Sequence, residues 1–401
     1  MYRRPSRLPA LLIGALVALL ALFGGIWLGG HPSDLPGPIR DTFTGDRDTR
    51  LMGEALDTID QLYYRRIPRS QLVNRGIAGA VASLKDPFSH YFDPTTYRQF
   101  QSTTNPSFSG IGVTVRGARQ GLAIESVIAG TPASHAGLRP GDLIVAVGAS
   151  HLFGRPESYA IGLIKGRPGT RVTLTIQRDG RRSVRRIERA RVTQPVVAAR
   201  IARYRGVPYG VVIYASFTAQ SSQQVRAAVN RMLARGARGI VLDLRGNGGG
   251  LLDEAVAVAS IFVPDGTIVS TAGRVQPRHV YTASGDAIRP ALPLVVLVDR
   301  GTASAAEIVT GALRDRHRAK IVGTRTFGKG VFQEVRNLPN GGALDLTVGQ
   351  YFLPNGENIG GKGVAEGKGI APDVRTQDDP RTLVRDEALD VALRTLAAQP
   401  R

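Results

Sequence analysis

Between residues 210 and 323 the chain alternates short, almost uncharged runs with amphipathic stretches, and that rhythm leaves few folds open. "GVVIYASF" (210–217), "GIVLDLRGNGGG" (239–250), "LPLVVLVDRG" (292–301) and "AKIVG" (319–323) read as strands, the second running into a glycine-rich turn. Helical patterns separate them at 221–236, 251–263 and 304–315, the first opening on Ser221 and closing on Gly236. Strand–helix alternation predicts a largely parallel α/β sheet. Its chemistry-bearing loops should lie at the carboxyl ends of the strands.

The chain outside this core differs in character. Short β-like runs at 110–115, 122–127, 143–148 and 171–178 are separated by Gly/Pro-rich turns such as "GTPASHAGLRPGD". Upstream, Met52, Ala55, Leu56, Ile59, Leu62 and Tyr63 fall at helical spacing, and a second helix is expected over 71–84. Such a helical region offers packing or a dimer contact, so a homo-oligomer is among the expected partners. "HPSDLPGPIRDTFTGDRD" (31–48) reads as a linker. Before it, 8–30 carries no charge and follows Arg3, Arg4 and Arg7. That is long enough to span a bilayer, with its amino end in the cytoplasm and the remainder exported. A signal peptide would end in a small-residue cleavage site, and no good one follows Ala21.

The net charge of +20 comes from basic residues spread along the chain without interleaved aromatics. That pattern fits a bias toward Arg better than a nucleic-acid surface. Without cysteine, disulfides, thiolate catalysis and Cys-ligated zinc are excluded. The six histidines show no H-x-x-x-H pair, so neither a metal nor any other cofactor is expected.

"GTRTFGKG" (323–330) nearly matches a phosphate-binding loop, but Gly330 stands where that loop needs a hydroxyl. Lys329 reads instead as a general base. Burial disfavours a charged amine and lowers its pKa, and Phe327, Val331 and Phe332 flank it. The bland alternative is a solvated surface charge, and "GKGVA" and "GKGIA" further on are near-copies. Ser304, between a strand end and a helix start, is a candidate nucleophile or simply a helix cap. The glycines of "LDLRGNGGG" can aim backbone N–H groups at an oxyanion, or form a plain turn. A Ser-His-Asp set using His317 and Asp315 is disfavoured, because positions two apart on a helix do not face each other. A Ser–Lys pair is known chemistry.

Taken together, "VIAGTPASHAGLRPGDLIVAVG", "VLDLRGNGGGLLDEAV" and "VLVDRGTASAAEIVTGALRDRHRAKIVGTRTFGKGVFQ" resemble the carboxyl-terminal processing (tail-specific) proteases, PDZ-containing Ser–Lys serine peptidases. The resemblance runs from about residue 52 to residue 374. It implies a multi-domain α/β protein: a crotonase/ClpP-like protease core with an inserted β-rich PDZ domain and an N-terminal helical region. The expected organisation is an anchor (1–30), linker (31–48), helical region (49–106), PDZ domain (107–192), protease core (193–375) and helical tail (376–401). Carried over by motif, Ser304 is the nucleophile, Lys329 the base and Gln333 the residue that orients it. Asp315 matches an accessory acidic position, and the amides of Gly248 and Ala305 match oxyanion donors. Lys362 and Lys368 fall outside the catalytic segment. Ser109, Gly110, Ile111, Gly112 and Val113 would receive a peptide carboxylate, and the implied partners are proteins or peptides with apolar C-termini. Two departures stand out: Ala306, where relatives carry Ser, and a long tail with a near-duplicated segment at 359–373. The rival readings are a non-catalytic PDZ adaptor with a protease-like core and a crotonase-like acyl-CoA enzyme.

Overall fold

A computed structural model describes residues 47–104, 107–193, 195–378 and 386–400. The expected anchor over 8–30 and most of the linker lie outside the described residues. Among the described residues no helix is long and apolar enough to cross a membrane. The chain divides into two units, 1–85 and 86–401. In the first, α1 (Arg47–Leu62) and α2 (Arg69–Ala82) pack on each other, with Arg69 paired to Asp57. Both helices lie near their expected positions.

The second unit opens with β1 (His90–Phe92) and α3 (Pro94–Thr104). β2 (Ser107–Gly110) pairs antiparallel with β9 (Ala190–Thr193), so the β-rich segment between them enters and leaves side by side. That segment holds β3 (Val113–Ala118), β4 (Gly121–Val127), α4 (Pro132–His135), β5 (Leu143–Val147), β6 (Ser150–His151), α5 (Glu157–Ile164), β7 (Arg171–Arg178) and β8 (Arg181–Glu188). Its sheet runs β3-β4-β5-β7-β8, which leaves β3 at an edge. Leu122, Ile124, Ile144, Leu174 and Ile176 alternate inward and meet Ala160 and Ile164 of α5 in a separate core.

The remaining elements are β10 (Val197–Tyr204), β11 (Val207–Tyr214), α6 (Ser221–Ala234), β12 (Ile240–Asp243), α7 (Leu252–Ser260), β13 (Thr267–Ala272), β14 (His279–Thr282), β15 (Leu294–Val298), α8 (Ala305–Asp315), β16 (Lys320–Gly323), β17 (Val331–Asn337), β18 (Ala343–Phe352), β19 (Val374–Arg375) and α9 (Glu387–Ala397). They build two sheets. The first runs β10-β11-β12-β15-β16-β19 and is parallel apart from the β10 edge. Val212, Leu242 and Val296 point to one face, under α6, α7 and α8. Val211, Val241 and Val295 point to the other, under α9. Burial on both faces is why these strands are apolar without interruption.

The second sheet is antiparallel, ordered β1-β18-β13-β14, with β17 paired to β18. Tyr351 and Leu353 carry it into the main core. There Leu353 reaches α8 at Gly311, where a Cβ would sit 2.4 Å from the leucine Cδ2. The sequence reading found β17 but not β18, β13 or β14.

Candidate active site

Two loops at adjacent strand ends form one half of the site. β12 and β15 are parallel neighbours, and each runs into a loop at its carboxyl end. Asn247, fully buried, ties the loops together. Its Nδ2 donates to Tyr214 O (2.7 Å), its Oδ1 accepts from Gly249 N (2.9 Å), and its carbonyl accepts from Ala303 N (2.9 Å). Asp299 Oδ1 accepts from both Gly246 N (2.8 Å) and Gly301 N (2.9 Å), and Thr302 Oγ1 donates to Leu244 O. Arg245 fixes the outer side by pairing with Asp243, Asp378 and Asp386.

Ser304 sits on the sharp turn into α8 with φ 55° and ψ −119°, a strained backbone for a non-glycine residue. The amides of Gly248 and Ala305 donate no hydrogen bond among the described residues. At Gly249, φ is +99°, and a Cβ would lie 2.9 Å from both Ala305 N and Ser304 Cβ. Only glycine lets the loop approach so closely.

Lys329, just before β17, supplies the other half from the antiparallel sheet. Its Nζ donates to Gln333 Oε1 at 2.8 Å and lies 4.4 Å from the centroid of the Phe88 ring. Gln333 is held in turn, with Nε2 donating to Thr347 Oγ1 (3.0 Å). Thr347 N donates to Ser89 Oγ, and Ser89 Oγ donates to Asp86. Burial lowers the Lys329 pKa below its ordinary 10.5, while the Asp345 and Asp86 carboxylates push it back up. Among the hydrogen bonds of the described residues, Lys329 Nζ engages Gln333 and not Ser304.

Glu307 joins the halves. It is fully buried in the first turn of α8. Oε2 accepts from the Ser304 and Lys329 amides, both at 2.9 Å. Oε1 accepts from Gly328 N (2.7 Å) and Thr326 Oγ1 (2.6 Å). Burial raises the Glu307 pKa, and the four donors oppose that. Sequence reasoning missed this residue. The available signal was the S-x-x-E spacing of a capping box, with an acid set in an otherwise apolar helix start.

The extended tail lies along the lysine segment. Gly330 N donates to Gly363 O, Ala365 N to Gly328 O, and Gly367 N to Phe327 O. Gly369 packs against Glu307, where a Cβ would meet Oε1 at 2.4 Å.

One expectation needs correction. Asp315 is not at the site. It ends α8, eleven residues from Ser304 and so roughly 16 Å along the helix axis. There it accepts from Arg314 Nε and Asn355 N. Residues 109–113 span a strand and a turn. Ser109 and Gly110 belong to the β2–β9 ladder, and the Ser109 hydroxyl donates to Gly166 O. Ile111 and Gly112 turn between that ladder and β3, their carbonyls accepting from Ala133 N and Ile128 N. Among the described residues no group of His, Asp or Glu side chains is placed to hold a metal ion.

Comparison with known proteins agrees with this architecture. The profile of peptidase family S41 matches residues 208–376, and that of a PDZ domain matches 124–178. A profile described as the N-terminal domain of the activating protease CtpB matches 41–96. A probable CtpA-like serine protease of Staphylococcus saprophyticus is 32% identical over 372 residues, covering 92% of this chain and 74% of that protein. Its counterpart in Staphylococcus epidermidis is 33% identical over 319 residues, 79% of this chain and 63% of its own length. The chain therefore spans somewhat under two thirds of that relative. The solved photosystem II D1 C-terminal processing protease is 30% identical, with a TM-score of 0.51 over 88% of this chain and 98% of that one.

Proposed function

The chain belongs to peptidase family S41, and from that premise we propose that it is a serine endopeptidase acting on proteins recognised by their C-terminal tails. The observation that carries the proposal is one buried carboxylate, Glu307, holding the backbones of Ser304 and Lys329 together. Uncharged Lys329 takes the proton of Ser304 as its Oγ attacks the scissile carbonyl. The amides of Gly248 and Ala305, at the positive end of α8, receive the oxyanion. Lys329 then gives its proton to the departing amine. Water hydrolyses the acyl-enzyme by the same exchange run in reverse. Gln333 keeps the amine aimed throughout.

The PDZ domain presents the turn at Ile111–Gly112 and the edge of β3. An apolar C-terminal tail adds there as a further strand, with its carboxylate at the turn. The uncharged 8–30, preceded by three arginines, anchors the protein in the cell membrane with the catalytic part exported.

The test uses purified chain and an unfolded protein ending in apolar residues. Cleavage lost in both Ser304→Ala and Lys329→Ala supports the peptidase. Equal behaviour of parent and variants overturns it in favour of the PDZ adaptor.

A further inference from the structure

One buried polar group near the site has no task in that mechanism. Tyr351, in β18, is 1% exposed, and its ring belongs to the main core. Its backbone is fixed on both sides. The amide donates to Gly330 O at 3.1 Å, one residue beyond Lys329, and the carbonyl accepts from Asn358 Nδ2 at 2.9 Å. The hydroxyl, by contrast, has no hydrogen-bond partner among the described residues. Its polar neighbours are the Ser304 hydroxyl and the Glu307 carboxylate. Glu307 already accepts from four donors and does not need a fifth.

A buried hydroxyl left unpaired is disfavoured and uncommon in native structures. Phenylalanine would fill the same space without that cost, so the hydroxyl does not serve the resting fold. We infer that Tyr351 is a positioning residue for the nucleophile: its O–H donates to Ser304 Oγ when the site closes on substrate. That bond occupies a lone pair of Oγ and turns the seryl proton toward Lys329 Nζ. The proton passes from Ser304 to Lys329, while Tyr351 keeps its own. Burial holds the phenol protonated, with its pKa raised well above the ordinary 10. The inference rests on Ser304 and Lys329 being the reacting pair.

Tyr351→Phe in the full chain tests it, measured beside Ser304→Ala on the same apolar-ended unfolded protein. The hydroxyl makes no bond at rest, so the variant should unfold at the parent's temperature or above. Loss of one neutral donor to the reacting oxygen should lower kcat about tenfold with KM unchanged. The acid limb of the pH profile should stay in place, since the surroundings of Lys329 are untouched. A kcat within about twofold of the parent overturns the role of Tyr351. So does a lower melting temperature with a proportionate loss of activity, which marks a structural hydroxyl. Cleavage that persists in Ser304→Ala instead overturns the reading of the nucleophile, whatever Tyr351→Phe does.

Discussion

Glu307→Gln isolates what the buried carboxylate contributes. The side chain keeps its shape but gains an NH₂ group, which must face one of two donor pairs. Placed where Oε2 was, it opposes the Ser304 and Lys329 amides, and neither can reverse its role. Placed where Oε1 was, it meets Gly328 N and Thr326 Oγ1. The threonine hydroxyl can rotate and accept, although it already accepts from Ile370 N. The second placement therefore wins and orphans one amide, that of Gly328. A buried donor left unpaired costs about 1–3 kcal/mol. Neutralising the group also removes the burial cost that raises its pKa, which limits the damage.

The expected loss of stability for Glu307→Gln is therefore about 1–3 kcal/mol. At about 2–4 °C per kcal/mol for a domain of this size, the melting temperature should fall by roughly 2–12 °C. Glu307→Ala orphans all four donors and should cost more than about 4 kcal/mol, enough to compromise folding. Thermal unfolding of the three proteins in one buffer, with kcat on one substrate, checks the ranking. Because Oε2 still holds the Ser304 and Lys329 amides, the glutamine variant should keep measurable activity. An alanine variant as stable as the glutamine one would refute the reasoning, since it would mean the four donors are satisfied elsewhere.

Three further outcomes follow from the same geometry. Asp345→Asn removes the carboxylate that most opposes the lowering of the Lys329 pKa, so the acid limb of the pH–kcat profile should move to lower pH. Gly249→Ala forces a Cβ against Ser304 at positive φ and should abolish cleavage. Lys329→Met bears on stability. An amine whose folded pKa lies below 10.5 contributes its full stability above 10.5 and loses it as pH falls through the folded value. The methionine variant should therefore be the more stable protein at neutral pH, with the difference vanishing at alkaline pH in denaturant titrations.

The legible parts of this fold are those where one signal dominates. β11, β12, β15 and β16 are largely apolar because both their faces are mostly buried, and they stood out from the sequence alone. β18 is mostly half-buried along its length and shows no such run. β8, "RRSVRRIE", buries only Ile187 and reads as a charged loop. Without β18 the second sheet was invisible, and with it the setting of Lys329. The apolar environment expected from Phe327, Val331 and Phe332 includes Phe88, from a distant segment that no motif ties to Lys329. Ser304, Lys329 and Gln333 were legible because long ordered motifs carry them. Tyr351 was not, because a tyrosine in a strand reads as packing until its hydroxyl is seen to lack a partner.

The distribution of hydrogen bonds over the site is itself an argument about mechanism. Ser304 and Lys329 are each held by their backbone amides, both to Glu307, and the loops around them are sewn by Asn247 and Asp299. The groups that exchange partners in the proposed mechanism are bound much more lightly. Among the described residues the amides of Gly248 and Ala305 and the Tyr351 hydroxyl are unpaired, and the Lys329 amine holds one neutral acceptor. The strained backbone at Ser304 and the orphan phenol together cost about 2–6 kcal/mol, a large share of a typical domain's net stability. Such a cost persists only where surrounding bonds over-determine the geometry, and the backbone ties to Glu307 do so. Fixed backbones with lightly held reacting groups are what a transition state needs, because the new bonds to the oxyanion then form without first breaking old ones.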